Sequence, residues 1–159
     1  MTSSTTKKVL ITRFEREPLT GYVNFQSYLR ATGVEMIQLD GTLRVLPLEE
    51  IKVIYFVREF PRTPGLPEPR VFANRPKTSG LWVRMEFRDG DVMDGLMAND
   101  LLQVSTQGYS MIPPGPSLNS QRIFVPRTAL RALSVLGVVG SPLKKREKPP
   151  PGKQLEMFS

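Results

Sequence analysis

The sequence predicts a mainly β protein built as two tandem small barrels of five strands each, and three observations carry that expectation. Apolar and polar residues alternate at the two-residue period of strands along much of the chain. Glycine and proline interrupt those runs at short intervals, as turns require. A long stretch of the first half also recurs, with few gaps, in the second.

The repeat appears when the run from Val9 to Val57 is laid over the run from Leu81 to Leu136. Gly21 then meets Gly95, Met36 and Ile37 meet Met111 and Ile112, Pro47 meets Pro126, and Ile51 and Ile54 meet Leu130 and Leu133. The largest gap falls in the loop "PPGPSLNSQ". The elements are clearest in the second copy. Val83, Met85 and Phe87 alternate with polar residues and run into "RDGD", where Asp89 and Gly90 suit a tight hairpin turn. The chain returns through "DVMDGLM", and Gly95 inside that strand marks a bulge or a sharp bend. Further strands follow at "QGYSMIP" and "QRIFV". After Pro126, "RTALRALSVL" reads as a helical turn leading into a strand: Ala129, Leu130 and Leu133 keep helical spacing, while Val135 and Val138 favour strand. The same brief helical spacing occurs at "PLEEIKVI" in the first copy.

Prolines at 61, 64, 67, 69 and 76 exclude a regular element between the copies and stiffen an extended connection. The expected organisation is a disordered start at 1–7, a first repeat at 8–58, a Pro-rich linker at 59–80, a second repeat at 81–138 and a disordered tail at 139–159. The formal charge is +7, but Lys7, Lys8 and the segment from Pro142 onward hold most of it. The body between them is close to neutral, which argues against a strongly basic nucleic-acid face. Lys144, Lys145, Arg146 and Lys148 can make weak, nonspecific contacts to phosphates. No apolar run approaches a signal sequence or the roughly 20 residues of a membrane span, so a cytoplasmic protein without a membrane partner is expected.

The chain has no cysteine and no histidine. Thiolate metal sites, disulfides and the usual nucleophile triads are thereby excluded, and no cofactor, metal or enzyme activity is expected. Asp89, Asp91 and Asp94 in "RDGDVMD" lack a bidentate glutamate at calcium-loop spacing and belong to a solvated turn instead. Trp82 is expected to pack against the linker, and Tyr22, Tyr28 and Tyr55 to be core or rim residues.

Five short antiparallel strands, a "DG" hairpin first and a glycine early in the second strand together resemble the Sm-like (SH3-like) barrel of RNA-associated proteins. The match covers Gly95 and Asp100 in "GLMANDLL", but Val104 stands where that family has Asn, and "RIFVPRTAL" replaces its second motif. The resemblance therefore implies the architecture without the uridine pocket. Arg58 and Arg62 resemble the Arg-x-x-x-Arg start of the PilZ barrel, whose following motif "NRPKTSG" does not supply.

The last stretch, "QLEMF", resembles the peptide by which bacterial proteins bind the sliding clamp of the replicative polymerase. That resemblance implies roles for Gln154 at a pocket rim, Leu155 along a groove, and Met157 and Phe158 inside an apolar pocket. The expectation is a non-enzymatic adaptor for DNA replication or repair. The alternative is an RNA- or small-ligand-binding tandem barrel whose tail is structural, with cyclic-dinucleotide binding of the PilZ kind ranked below it.

Overall fold

The computed structural model describes residues 5–61, 71–72, 74–100, 105–114 and 120–140, apart from the side chains of Ser120 and Gln121. It is mainly β, with no α-helix among the described residues. The strands are β1 (Thr6–Arg13), β2 (Arg16–Asn24), β3 (Leu29–Arg30), β4 (Gly33–Gln38), β5 (Leu43–Leu46), β6 (Ile51–Val57), β7 (Gly80–Phe87), β8 (Val92–Met97), β9 (Gly108–Met111), β10 (Ser120–Pro126) and β11 (Leu130–Val139). Eight of them form one sheet in the order β3-β4-β2-β1-β6-β10-β9, with β5 on the outer side of β4; β11, β7 and β8 form a second sheet in that order.

A reciprocal pair of backbone hydrogen bonds between Leu96 and Ile112, both 2.9 Å, ties β8 to β9 and so joins the two sheets. With that bridge included, the second copy runs β11-β7-β8-β9-β10, and the first runs β6-β1-β2-β4-β5. The two orders are the same once the two-residue β3 is set aside.

The duplication extends to single contacts. Gly21 pairs with Val9, and Gly95 with Val83. A Cβ on Gly21 would run into the Met36 side chain and the Ile37 carbonyl, and one on Gly95 would overlap the Met111 side chain. In each copy the methionine of the third strand therefore needs a bare backbone opposite it. Pro47 (φ −60°, ψ 141°) and Pro126 (φ −62°, ψ 144°) each lead into a single 3-10 turn, Leu48–Glu50 and Arg127–Ala129. Proline fixes the entry angle and lacks the N–H that a first turn leaves unbonded. Both segments thus resolve as a turn followed by a strand. The "RDGD" hairpin forms as its residues demand: Gly90 takes φ +92° and its N–H donates to the Phe87 carbonyl at 2.9 Å.

The repeats are not separate bodies. β6, the last strand of the first copy, pairs antiparallel with β10, the fourth strand of the second, through Ile54↔Phe124, Tyr55↔Ile123 and Phe56↔Arg122. Alternate residues along this joint enter different cores. Ile54 and Phe124 lie in the core of Val9, Ile11, Val34 and Met36. Tyr55 and Ile123 lie in that of Val83, Met85, Phe87 and Met111. A clasp at the rim reinforces the joint, where the Lys52 Nζ lies 2.9 Å from both Asp89 and Asp91. The described part of the connecting segment covers the second copy: Phe72 sits edge-on to Trp82 at 6.4 Å, and Arg75 stacks over the same ring at 5.9 Å. Most of the proline-rich stretch, residues 62–70, lies outside the described residues.

Candidate functional site

Two cavities of about 230 and 220 Å³ occupy corresponding places in the two copies. The first copy's is lined by Tyr22, Val23 and Asn24 from β2, Glu35 and Ile37 from β4, and Leu43 from β5, with Arg30 beside them. The other is lined by Leu96, Met97 and Ala98, then Ser110 and Ile112, and by Arg122 from β10. By register these are the same six positions.

Their chemistry differs. In the first cavity Arg30 and Glu35 are paired at 2.6 Å, and the Gln107 amide of the second copy donates to the Arg30 carbonyl at 2.9 Å. Arg122, on the wall of the second cavity, is exposed and acts on Tyr28. Burial pushes that phenol up to about 12, and the guanidinium pulls in the opposite direction. Both volumes fall below the roughly 300 Å³ at which pockets begin to enclose a drug-sized ligand.

The acidic residues singled out in the sequence part company. Asp89 and Asp91 meet Lys52 at the hairpin. Burial works against ionised Asp89, but the Lys52 ammonium and the Asp91 N–H outweigh it and hold the carboxyl below the usual range. Asp94 turns the other way and is fully buried. It accepts from Arg84 Nε at 2.7 Å and Nη2 at 3.1 Å, and from Trp82 Nε1 at 3.2 Å. This contact raises the Arg84 pKa, through the hydrogen bond first and the charge second. A buried carboxylate with three donors is a satisfied structural group. The arrangement could have been read from the hairpin: a turn at Asp89–Gly90 places Arg84 opposite Asp94, and the two-residue strand period puts Trp82 on the same face.

Among the described residues there is no group of three metal-ligating side chains and no helix long and apolar enough to cross a membrane. Tyr28 and Tyr55 are buried and Tyr22 is half-buried against Phe60, as core or rim residues should be. Trp82 packs on the connecting segment as expected. Arg58 is exposed just beyond β6, and Arg62 lies outside the described residues. So do Leu101–Val104 and every predicted partner-binding residue: Lys144, Lys145, Arg146, Lys148, Gln154, Leu155, Met157 and Phe158.

Sequence comparison finds one family model, described as a family of unknown function (DUF6982), that matches residues 5–137. No curated protein and no solved structure matches the chain.

Proposed function

The chain belongs to this family, and we propose that it is a non-enzymatic adaptor in which two tandem Sm-like small barrels present a docking peptide to the sliding clamp of the replicative DNA polymerase. The barrel reading is supported by the repeated strand order and by the proline-led 3-10 turn before the last strand of each copy. The observation that carries the clamp reading is "QLEMF" at residues 154–158, after the proline run 149–151. Prolines at that density act as an extended spacer, and unbranched Met157 suits an irregular pocket. The near-neutral body offers little charge of its own for gripping nucleic acid.

A synthetic peptide covering residues 148–159 is expected to bind the sliding clamp of the same organism. Phe158→Ala should weaken that binding by about 2 kcal/mol or more, as for an interface anchor, while Glu156→Ala, at the variable position, should change it little. In the full chain Phe158→Ala should leave the melting temperature where it was. A lowered melting temperature together with no detectable clamp binding would refute the docking role and make the segment part of the fold.

The repeated cavities favour a second reading, in which the barrels bind single-stranded RNA or a small anion beside Arg122. Then Arg122→Glu should weaken RNA binding by the full-length chain and lower its salt slope by about 1. Unchanged binding and slope in a filter or fluorescence titration would remove this reading.

A further inference from the structure

We propose that a second copy of this chain docks its β5 on β11, continuing between molecules the same joint that β6 and β10 make within one. Each copy has a last strand that pairs outward and a fourth strand that receives it. Inside the molecule the last strand of the first copy, β6, has met the fourth strand of the second, β10. One strand of each kind is left over. Among the described residues β11 pairs with β7 alone and β5 with β4 alone.

The register of the new joint follows from the repeat. The β1–β6 and β7–β11 ladders share a shift one residue past their start, so Ile54, Tyr55 and Phe56 correspond to Leu133, Ser134 and Val135. The β4–β5 and β9–β10 ladders set Leu43, Arg44 and Val45 against Arg122, Ile123 and Phe124. Transferring the three observed pairs gives Leu133↔Val45, Ser134↔Arg44 and Val135↔Leu43 between two molecules. The outer pairs are apolar on both sides and the middle one is polar. Leu43 is 62% exposed, Val135 58% and Val45 45%. Across the internal joint the residues corresponding to Leu133 and Val45, Ile54 and Phe124, are 0% and 1% exposed, while those corresponding to Val135 and Leu43, Phe56 and Arg122, are half-buried and exposed.

Among the described residues the edge itself is unguarded. Open edges are normally blunted by charge, by proline or by shortness. β11 is ten residues long and carries one charge, Arg131, which is engaged by Glu86 at 2.9 Å. At its far end the Arg75 guanidinium donates to the Val138 carbonyl at 3.0 Å. Among the described residues that leaves the stretch around Leu133–Val135 open, the stretch the transferred register uses. Where β6 offers Val53 and Tyr55 to the neighbouring core, β11 has Ala132 and Ser134, so the intermolecular joint is weaker than the internal one and depends on concentration. Because β5 and β11 are different surfaces, the contact is heterologous, and repeated use gives rings if the rotation closes or filaments if it does not.

The test uses the full chain and two variants, Val135→Glu on β11 and Leu43→Glu on β5, in sedimentation velocity over concentrations up to about 1 mM. The native chain should associate as concentration rises, and each variant alone should stay monomeric. An equimolar mixture of the two should form a one-to-one heterodimer, because each variant keeps the surface that the other has lost. That recovery also shows that both variants are folded. A native chain that stays monomeric throughout, or a mixture that does not recover, would overturn the proposal. So would a Leu43→Glu variant that associates as the native chain does, the sign of a symmetric β11–β11 contact. The register can be read separately, since the chain has no cysteine of its own: Val135→Cys mixed with Leu43→Cys should give an intermolecular disulfide under oxidation. Its absence in a mixture that otherwise associates would overturn the register.

Discussion

Replacing Gly108 with valine should destabilise the protein by about 3 kcal/mol, the upper end of the usual overpacking range. A Cβ there would overlap the Val125 carbonyl and lie 2.6 Å from the Phe124 ring and 2.9 Å from the Pro126 Cα. Two of these three neighbours are backbone of the adjoining strand and cannot rotate away. For a chain of this length the loss corresponds to a melting temperature lower by about 6–12 °C. Gly33→Val should do the same damage in the first copy, since a Cβ at Gly33 meets the Leu46 carbonyl and the Pro47 Cα, the equivalent atoms. Gly137→Ala is the control: its nearest neighbour is the end of the Arg75 side chain at 3.6 Å, an ordinary contact. Chemical denaturation of the three variants checks the series. Similar stability for Gly108→Val and Gly137→Ala would show that the strands can part without cost.

The second large effect is expected from Phe124→Ala, at about 3–5 kcal/mol. Phe124 is 1% exposed and meets Tyr28 edge-on at 6.1 Å. It belongs to the second copy's strand and to the first copy's core. Its loss should therefore lower one common unfolding transition, seen together by calorimetry and by tryptophan fluorescence. Trp82 sits in the second copy, on β7. If the truncation splits the melt into two steps and leaves the Trp82 signal in place, the copies are thermodynamically separate and the joint is incidental.

What could be read from the sequence was local or repeated. The "DG" turn, the strand alternation of Val83, Met85 and Phe87, and the matched Gly21/Gly95, Met36/Met111 and Pro47/Pro126 pairs all appear where they were expected, because each is set by neighbours in one strand, one turn or one ladder. Trp82 was legible for a related reason: the one tryptophan of the chain opens a strand beside a proline-rich segment and has that segment to pack on. The β6–β10 joint was not legible. Tyr55 and Ile123 look like any alternating strand residues, and nothing in either run says which of two outer strands it will meet. The paired cavities were missed as well. Glu35 and Ser110 stand at the same place but share no chemistry, so only the superposed ladders reveal them. Asp94 does not belong to the solvated turn, although its neighbours Asp89 and Asp91 do lie there: on β8 it faces away from the core that Met93 enters, and Arg84 and Trp82 of the paired strand cover it.

The joint also sets a schedule for the nascent chain. When β6 leaves the ribosome its apolar partner strand has not been made, and at the usual synthesis rates Ile54 waits on the order of 10 s for Phe124. During that interval the first copy carries an unpaired strand edge rich in Val53, Ile54, Tyr55 and Phe56, the kind of surface that chaperones hold and that aggregates recruit. Proline isomers aside, the slowest step of refolding in vitro is then the closure of this distant pairing rather than the assembly of either repeat. Translation speed between Ile54 and Phe124 then becomes a determinant of yield.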